Sequence, residues 1–181
     1  MTHHYPQNPL FLPATDGPLL IGARGWRHAG WRGGFYPDDL PAEWRLGFYA
    51  NEFRTVLLPP REWRAPGEAA AWVEEVDEGF RFLLESDGAS AAELAAAGDA
   101  LGGRLGGWIE STALWRPGGG GAPAAVGLIP AGPHGPRALR AMLEAFAAQA
   151  PATRRYLFLD GAPPDGETLR SLLTLRDLMG I

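Results

Sequence analysis

Cysteine is absent from all 181 residues. Its absence removes thiol nucleophiles, redox pairs, iron–sulfur clusters and thiolate zinc sites, and the fold must stand on its core rather than on disulfides. Lysine is missing too, so all 16 basic residues are arginine. Schiff-base chemistry and phosphate-loop chemistry, both of which use a lysine amine, are excluded. No apolar run approaches the ~20 residues of a membrane helix. The first 18 residues lack a basic start followed by an apolar stretch, and Pro6, Pro9, Pro13 and Pro18 interrupt them, so no signal peptide is expected. These absences imply a soluble, cytoplasmic protein with no membrane partner. A net charge of -5 argues against a sequence-independent grip on nucleic acid, which needs a concentrated basic face.

What is present suits one globular domain. Hydrophobic residues make up 46% and charged residues 20%, a balance able to bury a core. At this length roughly 70% of the unfolded chain's surface is removed from water on folding. The 25 glycines and 17 prolines predict long, connected loops. Residues 1–18 read as an extended amino-terminal segment and residues 19–181 as the domain, with a glycine-rich connector at 117–121.

Apolar runs and helical periodicities alternate along the domain. Strands are predicted at Leu19–Ala23, Arg54–Leu58, Phe80–Leu84, Trp108–Thr112, Ala124–Ile129 and Tyr156–Leu159. Between them, Asp39 is a plausible cap for a helix carrying Trp44, Phe48, Tyr49 and Phe53. A second helix runs through Trp72, and Ser90 with Glu93 forms a capping-box pair opening a third. Leu139–Phe146 and Glu167–Met179 complete the helices. Alternating strands and helices need crossover connections, and these give a mainly parallel sheet covered by helices. About six strands are too few for an eight-unit barrel of at least ~200 residues. The expected fold class is therefore α/β, a shortened or incomplete TIM-like (βα) barrel. Its open edges require either a covering segment, with residues 1–18 the candidate, or a homodimer.

Three segments carry a family resemblance. Ile21-Gly-Ala-Arg-Gly-Trp26, Trp31-Arg-Gly-Gly-Phe-Tyr-Pro37 and Tyr49-Ala-Asn-Glu-Phe-Arg-Thr-Val56 resemble the amino-terminal signature of the YecE-like family, also called domain of unknown function 72 or DUF72. Gly79–Phe82, Leu101–Gly106 and Tyr156–Met179 are weaker echoes. The resemblance implies a TIM-like barrel, with one or two βα units missing from this shorter chain. It also implies altered chemistry, because the pocket positions depart from the family pattern. Leu57 to Glu62 stand where a glutamate and an asparagine are usual, Glu85 stands for a lysine, and Ser111, Ala113 and Leu114 replace a glutamine and two prolines. A divergent, non-catalytic binding or interaction module is the expected function. The alternative is a metabolic enzyme acting on a small sugar-like or phosphorylated substrate.

Functional groups of a βα barrel lie just after the strands, at the carboxyl face. Weak catalytic candidates there are His28, Glu85, Glu110 and His134, with Asp87 and Asp160 nearby, because a histidine beside a carboxylate can exchange protons near neutral pH. The plainer alternative for His134, in Pro-His-Gly-Pro, is an exposed loop residue, and for Glu110 an ion pair with an arginine. Arg24, Trp26, Arg27 and Trp31 are the ligand-binding candidates, since arginines among aromatics can stack a sugar or base and hold a small anion. For the tryptophans, core packing is the stronger alternative. No metal-ligand spacing is present, and the cofactor stays unknown.

Overall fold

The computed structural model describes residues 10–11, 19–64, 67–119, 124–149 and 154–181. Its elements are β1 (Leu10–Phe11), β2 (Leu20–Arg24), α1 (Arg45–Glu52), β3 (Thr55–Leu58), α2 (Pro60–Trp63), α3 (Glu68–Glu75), β4 (Arg81–Glu85), α4 (Ala91–Leu101), β5 (Leu105–Ile109), β6 (Val126–Ile129), α5 (Pro136–Ala147), β7 (Tyr156–Leu159) and α6 (Gly166–Met179).

Seven strands form one sheet in the order β1-β5-β4-β3-β2-β7-β6. Every neighbouring pair is parallel except β1 with β5. If the parallel strands are counted from β2 around an eight-membered ring, their order becomes 4-3-2-1-8-7. The first strand has found the last, and among the described residues no parallel strand takes the fifth and sixth places of the ring. This is an incomplete TIM-like barrel, open in the middle of the sequence rather than at its ends.

The two bare edges left by the gap are both met by the chain itself. Leu10 and Phe11 pair with Ile109 and Trp108 on the edge of β5, while the rest of the proposed covering segment falls outside the described residues. On the β6 edge, Trp115 donates its backbone N–H to the Val126 carbonyl at 3.0 Å and accepts from Leu128 at 2.9 Å.

Strand alternation divides the core into two layers. Ile21, Ala23, Val56, Leu58, Phe82, Leu84, Trp108, Ile129, Leu157 and Leu159 pack outward against the helices. Leu57, Leu83, Ile109, Leu114, Val126, Leu128, Tyr156 and Phe158 meet on the inner face and fill the half-barrel with apolar side chains. By the same two-residue period, Arg24, Glu85 and Asp160 fall on the inner face at the carboxyl ends of their strands.

Most strand ends shift by one or two residues, and two boundaries differ by more. The fourth parallel strand covers Leu105–Ile109 instead of Trp108–Thr112. Its Gly106-Gly107 pair carries no strand propensity, yet a Cβ on Gly106 would lie 2.6 Å from Leu83 Cδ1, so close approach to β4 demands glycine there. The register also slips by one residue at this point. Asp39 caps no helix. Pro41 disfavours helical geometry at Leu40, so a 3-10 turn at Ala42–Trp44 intervenes and α1 begins only at Arg45.

Candidate functional site

Arg24 is the last residue of β2, and its guanidinium lies across the inner mouth of the half-barrel. Nε and Nη2 donate to the two carboxylate oxygens of Glu85, at 2.5 and 2.8 Å, in a bidentate fork. Nη1 lies 3.5 Å from Asp160 Oδ1. Glu85 is 3% exposed, whereas Arg24 and Asp160 are about one-third exposed, so the pair is sealed below and open above. The Glu85 hydrogen bonds raise the Arg24 pKa further, against the opposing effect of burial. Trp63 Nε1 donates to the Glu85 carbonyl at 2.9 Å and fixes the end of β4 from α2.

Gly25 turns the chain away at φ 82°, a left-handed conformation suited to glycine, and its lack of a side chain lets Glu62 and His28 close in over it. A Cβ placed there would stand 2.8 Å from Glu62 Oε1 and 3.2 Å from His28 Nε2. His28 Nε2 donates to the Arg24 carbonyl at 2.9 Å, and the ring meets Trp31 edge-on with centroids 4.7 Å apart. Burial lowers the His28 pKa, outweighing the opposing carbonyl hydrogen bond, so the imidazole is neutral at pH 7. Glu62 shifts the other way. Burial raises its carboxyl pKa although Arg61, Arg27 and Arg24 pull it down. Its Oε2 is buried without a partner, as is Ser86 Oγ just beyond Glu85. Asp87 is tied to Ser111, whose Oγ and N–H donate at 2.7 and 3.0 Å. Those bonds hold Asp87 below the ordinary carboxylate range despite the contrary effect of burial.

Among the sequence candidates, Arg24, His28 and Glu85 come together here with Asp160. Arg27 lies beside them, stacked on the Trp26 and Trp72 rings at 5.1 and 5.5 Å and paired with Glu68. Trp26 and Trp31 are buried. Trp26 packs edge-on against Trp72, and Trp31 donates Nε1 to the Pro164 carbonyl at 2.7 Å within a cluster of Phe35, Tyr36 and Tyr49. Glu110 does not lie on a strand. It precedes the 3-10 turn Ser111–Ala113 and is exposed, because β5 ends at Ile109, three residues before the expected strand end at Thr112. His134 bonds the Pro130 carbonyl at 2.8 Å in the turn before α5, and no hydrogen bond or ion pair joins it to Arg24. His3, His4 and part of the glycine-rich connector lie outside the described residues.

Sequence reading missed Glu62. The usable signal was Pro59-Pro60, a stop to β3 that also starts a helical turn and swings Glu62 back over Gly25. A groove of about 230 Å³ also lies between α2, α3 and α4, but Ala69, Ala70, Ala96, Ala97 and Ala100 supply most of its wall. Its charged lining residues, Arg64 and Glu93, pair with each other at 3.4 Å. Among the described residues, no group of three or more histidines and carboxylates is arranged to hold a metal ion. No described helix is long and apolar enough to cross a membrane.

A parallel half-barrel with charged side chains at its carboxyl mouth defines a protein of the open (βα)-barrel class. Residues 20–90, which include β2 through β4 and the Arg24, Glu62 and Glu85 positions, match the family model "Protein of unknown function DUF72". Over that segment the chain is similar to the DUF72 family. Two solved structures share its fold. A DUF72 family protein from Thermotoga maritima matches with a TM-score of 0.60 at 11% identity, over 91% of this chain and 100% of that one. Another, from Enterococcus faecalis, matches with a TM-score of 0.56 at 10% identity, over 88% and 95%. None of the curated proteins matches the chain.

Proposed function

We propose that this DUF72-like chain is a divergent, non-catalytic binding module whose carboxyl mouth takes a small hydroxyl-rich, sugar-like ligand. The observation that carries the reading is Arg24, which is held by Glu85 on one side and Asp160 on the other. Charges spent on one another form a fixed polar platform in which both carboxylates are engaged by the guanidinium. Such a platform presents N–H donors and carboxylate acceptors side by side, and a hydroxyl group can satisfy both kinds. The unpartnered Glu62 Oε2, close over Gly25 and within reach of the charges of Arg24 and Glu85, supplies a further buried polar atom beside it.

A second reading rests on a separate observation. Glu62, inclined to keep its proton, and neutral His28 both close in over Gly25, an arrangement suited to acid–base turnover. Thermal melts of the purified chain against neutral sugars and sugar phosphates separate the two. The binding reading expects a neutral sugar to raise the melting point by several degrees at saturation, loss of that shift in Asp160→Ala, and an unchanged ligand on recovery. Chemical conversion of the ligand that is abolished in Glu62→Gln but retained in Asp160→Ala would establish the enzyme reading instead.

A further inference from the structure

Three arginines meet at the end of the sheet opposite the mouth. Arg81 opens β4, Arg104 immediately precedes β5, and Arg154 stands two residues before β7. Phe82 is in register with Leu105, which sets Arg81 beside Arg104 on adjacent strands. Phe82 faces the outer cluster, so alternation turns Arg81 to the inner face, while Arg104 ends the 3-10 turn Gly102–Arg104 and sets its charge against Arg81. Arg154 shares the parity of Tyr156, whose ring belongs to the inner cluster, and the two are joined by a side-chain hydrogen bond.

Seven of the 16 arginines have a carboxylate partner among the described residues, and what sets Arg81, Arg104 and Arg154 apart from the other unpaired ones is that they crowd one another. Arg24, Arg27, Arg54, Arg64, Arg140, Arg170 and Arg176 each pair with a carboxylate. Among the described residues, Arg81, Arg104 and Arg154 have no such partner. The Nε atoms of Arg104 and Arg154 are buried with no acceptor at all. Arg81 Nη1 reaches only the Glu78 and Phe80 carbonyls, at 2.6 and 2.7 Å. Burial, then the charge of Arg154, then that of Arg104 push the Arg81 pKa down, as expected of cations crowded together. A buried N–H donor without an acceptor is unfavourable, more so on a cation, and three neighbouring cations add repulsion. One multivalent anion removes both penalties.

We infer that Arg81, Arg104 and Arg154 form a phosphate-type oxyanion site at the amino-terminal end of the half-barrel. Guanidinium forks match the oxygen spacing of a tetrahedral oxyanion, and among the described residues no carboxylate pairs with these three arginines. The site lies at the other end of the strands from Arg24, Glu85 and Asp160 and does not depend on the sugar reading.

The whole chain supplies a direct readout. Without lysine, its permanently charged side-chain N–H groups are those of arginine, so a nitrogen–proton spectrum of Arg Nε groups can be titrated with inorganic phosphate and with glycerol phosphate. Shifts at Arg81, Arg104 and Arg154, with Arg24 unmoved, are expected. In thermal melts, phosphate should stabilise the chain beyond sodium chloride of equal ionic strength, and Arg104→Gln/Arg154→Gln should weaken phosphate affinity at least tenfold. Tighter binding of glycerol phosphate identifies a ligand-borne phosphate, and tighter binding of inorganic phosphate a free ion; both uphold the site. Equal stabilisation by chloride, a phosphate effect retained in the double variant, or shifts confined to Arg24 would overturn it. If the double variant does not fold, the spectra of the unsubstituted chain decide.

Discussion

Tyr49 does at one point what a strand ladder does along a line. Its hydroxyl donates to the Thr55 carbonyl at 2.8 Å and accepts from the Ala23 N–H at 2.7 Å, joining β2 to β3 through a fully buried oxygen. Tyr49→Phe keeps the ring and strands both backbone groups, so a loss of about 2 kcal/mol is expected in denaturant unfolding. Glu62 offers a test with the opposite sign. A carboxyl whose pKa rises on folding favours the fold at low pH, and that contribution is lost as pH climbs from about 4, the ordinary carboxylate value, through the raised one. Glu62→Gln should therefore melt higher than the parent at pH 7, with the difference closing towards pH 4; equal melting at both would contradict a buried, proton-favouring site. His28 works in the reverse direction, since its lowered pKa makes the fold lose stability as pH falls below about 6.5. Comparing each variant with the parent at the same pH cancels that contribution.

Elements were legible where a local pattern marks both ends. Ser90 and Glu93 announce α4, and the structure contains the full capping box. Tyr156–Leu159 is bounded by polar residues and was read to the residue. β5 was misplaced because glycines needed for close approach look like loop, and β1 was not separable because two residues contain no period. Two element-scale outcomes follow from the packing. Asp165 caps α6 by accepting from the Thr168 N–H at 2.7 Å, so Asp165→Ala should cost about 1 kcal/mol in chemical denaturation. A Cβ on Gly22 would collide with the Thr55 carbonyl and stand 2.9 Å from Tyr49 Oη. Gly22→Ala should accordingly cost about 3 kcal/mol, the upper part of the range for overpacking, by prising β2 from β3.

At the scale of the whole molecule, the sheet's parallel order followed from alternation, but which strands bound the gap did not. That choice is made by pairing between residues far apart, Leu20 with Tyr156 and Val126 with Tyr156, for which a single sequence holds no sign. The candidate site divides in the same way. Arg24, Glu85 and Asp160 could be gathered from strand ends, whereas Glu62 and the three amino-end arginines become neighbours only through the register of the strands. Trp115 offers a test of the covered edges. Trp115→Pro removes the N–H that bonds Val126 and the ring that packs on Phe146, exposing the β6 edge. Light scattering at two concentrations should then show association above that of the parent.

The pairing of β2 with β7 has a consequence in time. During synthesis β2, β3, β4 and β5 can assemble as soon as the first part of the chain is free, yet the other edge of β2 stays bare until Tyr156–Leu159 emerges. Contacts of such long sequence separation form late, because the chain between them must be ordered first. The half-made protein therefore carries a sticky strand edge with Ile21 and Ala23 beside it, and it relies on its own last strand, arriving from the ribosome, to keep it from joining a neighbour.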